Sequence, residues 1–221
     1  MKFKLTGSPR IPDFEANFYK GEFDFAYMNP YHSRLALKSQ GYTALVRDGG
    51  RQLFGVLVTK KGGEIKELQH LAGKDIAFPA PNALGASLII RADLDQLHHI
   101  SFVPKYVQTH SSVYLNVALG RMAAGGGVMA TLVNQPREIQ DRLQILYKTR
   151  TMAPHPIVAH PRVPSAHQIL VRHAFLQMGN SQEGIKLLSK IPIKKIVSAA
   201  STDYEELDSW SLEHYFEQVE N

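Results

Sequence analysis

DIAFPAPNALGAS, residues Asp75–Ser87, is the stretch whose reading decides the fold. Ile76, Ala77 and Phe78 read as a short buried strand, and Pro79–Pro81 as a rigid turn. Asn82 stands where a helix N-cap belongs, ahead of the periodic run Leu84, Leu88 and Ile89. A strand that feeds a helix through a tight turn leaves the first N–H groups of that helix unpaired. With the positive end of the helix dipole, those groups attract an anion.

The chain repeats this unit four times. Lys2–Thr6 reads as a strand, followed by Ile11, Phe14 and Phe18 at helical spacing, with Gly21 as the stop. Phe23, Phe25 and Tyr27 alternate as a strand, and Asn29-Pro30 opens a helix that Gly41 closes. The third unit is the opening stretch, with Phe102–Val107 as its returning strand. In the fourth, Thr109-His110-Ser111-Ser112 starts a helix that ends before Gly125-Gly126-Gly127, and Val128–Val133 reads as a further strand. Tyr42–Arg47 and Gln52–Thr59 read as two strands of a hairpin turned at Asp48-Gly49-Gly50. Phe54, Val56 and Val58 alternate with Leu53, Gly55 and Leu57, which predicts a strand buried on both faces. Leu146–His160 includes another strand, and from Ser165 onward the pattern is helical, with Thr202 and Glu205 spaced as a capping box. Strands alternating with helices of this length predict an α/β protein with mostly parallel sheets flanked by helices.

Composition narrows the function. The 221 residues are 44% hydrophobic and 20% charged, enough for one large or two small cores. No apolar run is long enough to cross a bilayer, and Met1–Leu5 contains no apolar leader core. Without cysteine there is no thiol catalysis, no disulfide and no thiolate metal site. The net charge of +5 is scattered and not interleaved with aromatics, so no nucleic-acid partner is expected. No metal is expected either: His155 and His160 are five apart on a strand, His167 and His173 six apart on a helix, and neither spacing puts two imidazoles on one face. The triple glycine follows a helix and precedes a strand, the reverse of a nucleotide-binding loop, and no nucleophile motif or cofactor signature is present.

LAGKDIAFPAPNALGAS, YVQTHSSVYLNVALGRMAAGGGV and APHPIVAHPRVP, preceded by GEFDFAYMNPYHSRLAL, together resemble one family in order and spacing. It is the phosphate/phosphite/phosphonate type of periplasmic substrate-binding protein, the receptor of ABC importers. The resemblance implies a non-catalytic receptor with a two-lobed fold, a small anionic ligand caught in the cleft between lobes, a membrane permease as partner, no cofactor and a periplasmic location. It implies a first lobe of residues 1–59 and 149–221 and a second of residues 60–148.

The positions matching the family's binding segments are Tyr27, Asn29 and Tyr31 in the first lobe. In the second they are Asn82, Ala83, Gly85, Thr109, His110, Ser111 and Ser112. Asn29 and Asn82 also fit plain N-caps, and one hydroxyl of Thr109–Ser112 must cap its helix. Phosphonate-binding members carry a hydroxyl run where this chain has Ala83-Leu84-Gly85. That leaves backbone N–H groups, Asn82 and Ser87, and predicts weak binding of phosphate and phosphonate.

Family members also begin with a strand and helix ahead of the segment matching Lys2–Thr6. A first lobe lacking them would leave a strand edge bare, which predicts a homodimer through that edge. Two rival readings keep the fold: a ligand-sensing domain of a signalling protein, and an enzyme in which His110 is the acid–base group.

Overall fold

A computed structural model describes residues 2–191 and 193–217. The chain forms two compact α/β units. The described residues of the first are 2–52, 153–191 and 193–206, and those of the second are 53–152 and 207–217.

In the first unit, helix α1 (Ile11–Tyr19) leads to strand β1 (Phe25–Tyr27) and helix α2 (Pro30–Gln40). The local signals act as expected here. The Asn29 side chain accepts the His32 N–H at 2.8 Å, Pro30 takes the first turn, and Gly41 closes the helix at φ 75°. Strand β2 (Thr43–Asp48) follows. After residue 152 the chain adds β8 (Pro156–Ala159), α7 (Ser165–Met178), α8 (Gln182–Leu188) and β9 (Ile196–Ser198). The sheet order is β1-β8-β2-β9, and all its ladders are antiparallel. Val46 and Ile196 pack with Leu188, and Leu45 and Ala159 pack with Val171 under the helices.

The second unit has the sheet order β5-β4-β6-β3-β7, built from β3 (Val56–Lys60), β4 (Asp75–Phe78), β5 (Val103–Tyr106), β6 (Ala124–Gly127) and β7 (Leu143–Lys148). Its helices are α3 (Ile89–Gln96), α4 (His110–Ala118), α5 (Met129–Val133) and α6 (Arg137–Gln140). Strand β3 is buried on both faces, as its alternation predicts. Leu57 joins Ile76, Phe78, Ile90 and Leu94, whereas Val56 and Val58 join Tyr114 and Val117.

Four expectations need correction. The α/β architecture stands, but β4 alone runs parallel to its neighbours, β5 and β6, while the other ladders are antiparallel. The antiparallel ladders arise where a returning strand enters a sheet: β8 inserts between β1 and β2. Second, Asp48-Gly49-Gly50 turns no hairpin, because β2 and β3 belong to different sheets; Asp48 Oδ1 instead accepts the N–H groups of Gly50 and Lys195, each at 2.9 Å. Third, Lys2–Thr6 joins no ladder. An open cavity of about 810 Å³ is lined by Lys2–Thr6 and by Glu22–Tyr27, and Leu5 is 98% exposed.

The fourth correction concerns the triple glycine. Gly125–Gly127 is strand β6 itself, and Met129–Val133 is a helix. Periodicity failed there because the strand carries no side chains to alternate. A Cβ on Gly126 would lie 2.1 Å from the Ala86 carbonyl, and one on Gly127 would lie 1.9 Å from the Tyr114 hydroxyl. The glycines let helices close in on both faces of the strand. Gly126→Ala is therefore expected to cost about 1–3 kcal/mol, the usual range for overpacking, read as a lower urea midpoint at unchanged slope.

Candidate functional site

Parallel strands β5, β4 and β6 end on the same side of the second unit's sheet, and each feeds a helix start. Beyond β4, Leu84–Leu88 forms a π-helical turn that runs directly into α3. Its wide ring pushes the backbone outward and depends on glycine beneath it: a Cβ on Gly55 would lie 1.9 Å from the Gly85 carbonyl. Single π turns of this kind recur at functional sites. Beyond β5, Thr109 caps α4, its hydroxyl oxygen accepting the Ser112 N–H at 3.0 Å. Beyond β6, Val128 precedes α5.

Side chains tie the three starts together. A Cβ on Gly85 would come within 3.1 Å of Val128. The Thr131 hydroxyl donates to the Val128 carbonyl at 2.9 Å and pairs with Tyr114 Oη at 2.7 Å. It also lies 3.3 Å from His110 Nδ1. Burial pushes the His110 imidazole below its ordinary pKa, so the ring is neutral at pH 7. The assembly offers unpaired helix-start N–H groups, one exposed serine hydroxyl (Ser111) and a neutral histidine held by Thr131.

The expected residues of this unit divide. His110, Ser111, Gly85 and Ala83 stand at the helix starts. Thr109 and Ser112 are there too, but their hydroxyls bond each other at 2.8 Å. Asn82 does not cap: Ala83 holds the N-cap position, and no side chain caps the turn. The Asn82 amide instead donates to the Glu217 carbonyl at 2.8 Å and accepts the Glu217 N–H at 3.0 Å. Ser87 is fully buried. Thr131 went unnoticed because MATLV carries neither a cap nor a decisive period.

The C-terminal residues that clasp Asn82 are fixed along their length. The Arg150 guanidinium lies 4.3 Å from the Trp210 ring centroid and pairs at 2.8 Å with Asp93, which is fully buried. Gln96 donates to the Trp210 carbonyl, and Arg91 to those of Tyr215 and Pro81.

In the first unit, Tyr27 ends β1, is 43% exposed, and stacks on His155 with ring centroids 5.3 Å apart. Tyr31 is buried in the core. Asn29 is spent on its cap and on His32 Nδ1, which accepts from the Asn29 amide at 3.0 Å. The opposite nitrogen, His32 Nε2, reaches the buried Glu15 carboxylate at 2.8 Å. Burial, helped by the charge of Arg51, pushes His155 down to about 4.

A family model described as the periplasmic substrate-binding protein of an ABC phosphonate transporter matches residues 1–204. Solved structures agree in fold. The binding component of an ABC phosphonate transporter from Pseudomonas aeruginosa superposes with a TM-score of 0.75 at 14% identity, covering 90% of this chain and 72% of that one. PhnD1 of Prochlorococcus marinus, solved with methylphosphonate, gives 0.77 at 12% identity over 93% and 83%. A Xanthomonas citri protein solved with ATP gives 0.81 at 14% identity over 95% and 86%. A comparison with curated protein sequences finds no match.

The depressed His155 pKa has a stability consequence. The unfolded imidazole takes up a proton near 6.5, and the folded one only near 4. The contribution is therefore complete above pH 6.5 and is lost as pH falls from 6.5 toward 4. Thermal midpoints measured across that range should fall in the native protein and fall less in His155→Phe.

Proposed function

The chain belongs to the periplasmic substrate-binding proteins of ABC phosphonate transporters, and from that premise we propose that its ligand is a small oxyanion of the phosphonate class, held in the second unit by the starts of the π turn and of α4. Members of the family are transport receptors, not enzymes. The finer statements are proposals: this chain resides in the periplasm and delivers its ligand to a membrane permease.

The observation that carries the ligand reading is the convergence of three helix starts at the carboxyl ends of β5, β4 and β6, the edge at which open α/β sheets take ligands. Backbone N–H groups of Leu84 and Gly85 and of His110 and Ser111 supply the donors, with the Ser111 hydroxyl and the His110 ring completing the set. Side-chain donors are few. Asn82 is engaged with Glu217, and Ala83-Leu84-Gly85 contributes none. The expected affinity is therefore modest, since each missing hydrogen bond to a charged group is worth about 1.5–3 kcal/mol.

Calorimetry with methylphosphonate and phosphate tests this. Binding in the micromolar range or weaker is expected, with His110→Ala or Ser111→Ala losing about tenfold, the effect of one such bond. Absence of any oxyanion binding, or submicromolar binding indifferent to both substitutions, would overturn the assignment.

A separate proposal concerns association. Among the described residues, β1 carries no strand on its outer edge, and an apolar groove beside it is lined by Phe3, Phe25, Ile157, Val171 and Phe175. An unpaired edge next to apolar surface favours pairing with a second copy. Light scattering at micromolar concentration should report a dimer; a monomer throughout removes this proposal and leaves the ligand reading untouched.

A further inference from the structure

Tyr106 is the last residue of β5, and Pro81 and Asn82 follow its parallel neighbour β4, so all three stand at the edge of the second unit where those strands end. Glu217, of the same unit, is held among them. The Asn82 amide clasps its backbone N–H and carbonyl, next to Ala83, the N-cap of the π turn. That clasp reads backbone alone. The Glu217 side chain is held separately: the Tyr106 phenol donates to Oε1 at 2.7 Å, and Arg91 Nη1 lies 3.9 Å from the same oxygen.

The Arg91 side chain is only 8% exposed, and its guanidinium carbon lies 5.8 Å from the centre of the Tyr106 ring. One terminal nitrogen donates to the carbonyls of Pro81 and Tyr215. The rest of the fork is under-filled. Its Nε is buried without a hydrogen-bond partner, and 3.9 Å from Nη1 to the carboxylate is too long for a hydrogen bond. A charge taken out of water in this way calls for an anion in direct contact. Burial and the bond to Glu217 hold the Tyr106 phenol above its ordinary pKa, so it stands as a donor at pH 7. The Glu217 side chain is 53% exposed, so its carboxylate has water to return to. A donor phenol beside a buried, part-satisfied guanidinium is the chemistry that binds an oxyanion, and a phosphonate brings three oxygens where a carboxylate brings two.

We propose that Arg91 and Tyr106 are oxyanion-binding residues of this edge, and that the Glu217 carboxylate holds their place as an internal ligand that an incoming oxyanion displaces. The inference rests on the receptor reading and adds to it two binding residues and an internal competitor.

The test is calorimetry with methylphosphonate on the full chain as wild type, Glu217→Ala, Tyr106→Phe and the double variant. Because Asn82 grips the Glu217 backbone, Glu217→Ala removes the carboxylate and leaves the segment in place. Affinity should rise about tenfold or more in Glu217→Ala, the worth of one charge-assisted hydrogen bond no longer contested. Tyr106→Phe alone should hold within about twofold, because in wild type the phenol exchanges one oxyanion for another. The double variant should lose most of the gain, a coupling expected only if Tyr106 receives the ligand that Glu217 excludes. A gain that persists in the double variant would show that Glu217 acts by repulsion or by anchoring its segment, and would overturn the inference. Unchanged affinity in Glu217→Ala would overturn it too, while leaving the receptor reading in place. Failure of all four proteins to bind methylphosphonate would defeat the phosphonate reading and this inference with it.

Discussion

The close approach of backbone to backbone across the glycines of the second unit is the constraint on which the rest depends. Strand β6 presents no side chain where the π turn packs on one face and α4 on the other. Gly55, just ahead of β3, accepts the π turn in the same way. A methyl on Gly55 or Gly126 would overlap a carbonyl and one on Gly127 the Tyr114 hydroxyl, so a helix or a strand would have to move. The short distances do more than fill space. They draw the three helix starts to one edge of the sheet.

Strongly charged side chains of the second unit serve the fold more than this edge. Fully buried Asp93 pairs with the half-buried Arg150 against Trp210, and Arg91 donates to carbonyls of Pro81 and Tyr215. Removing either member of a buried pair leaves an uncompensated charge, so such pairs are held by their surroundings. The C-terminal residues they fix also take Asn82. The groups left at the start of α4, His110 and Ser111, are neutral.

The first unit uses charge differently. Its buried hydrogen-bonded cluster, Glu15–His32–Asn29, ties α1 to the start of α2. At the other end of β2, Asp48 organises a turn through backbone donors and carries Arg51 at the surface. Both carboxylates, Glu15 and Asp48, are buried, one paired with an imidazole and the other with backbone N–H groups.

Read alone, the sequence determined the α/β class, three of the four strand–helix units, the cap at Asn29-Pro30 and the stop at Gly41, and it placed the α4 cap among Thr109–Ser112. Each of these depends on residues within one or two turns of one another. It also determined that β3 is buried on both faces, since an uninterrupted apolar run has no polar side to show water. Tertiary structure alone decided strand polarity, because β8 enters its sheet from more than a hundred residues away. It decided that Asp48-Gly49-Gly50 separates two sheets, that the triple glycine is a strand, and that Asn82 is bound by Glu217, 135 residues distant. It also brought Thr131 to His110 and stacked Tyr27 on His155. Periodicity and capping are local forces written in neighbouring residues. Which backbone lies against which glycine, and which polar group meets which, is fixed only when distant segments pack.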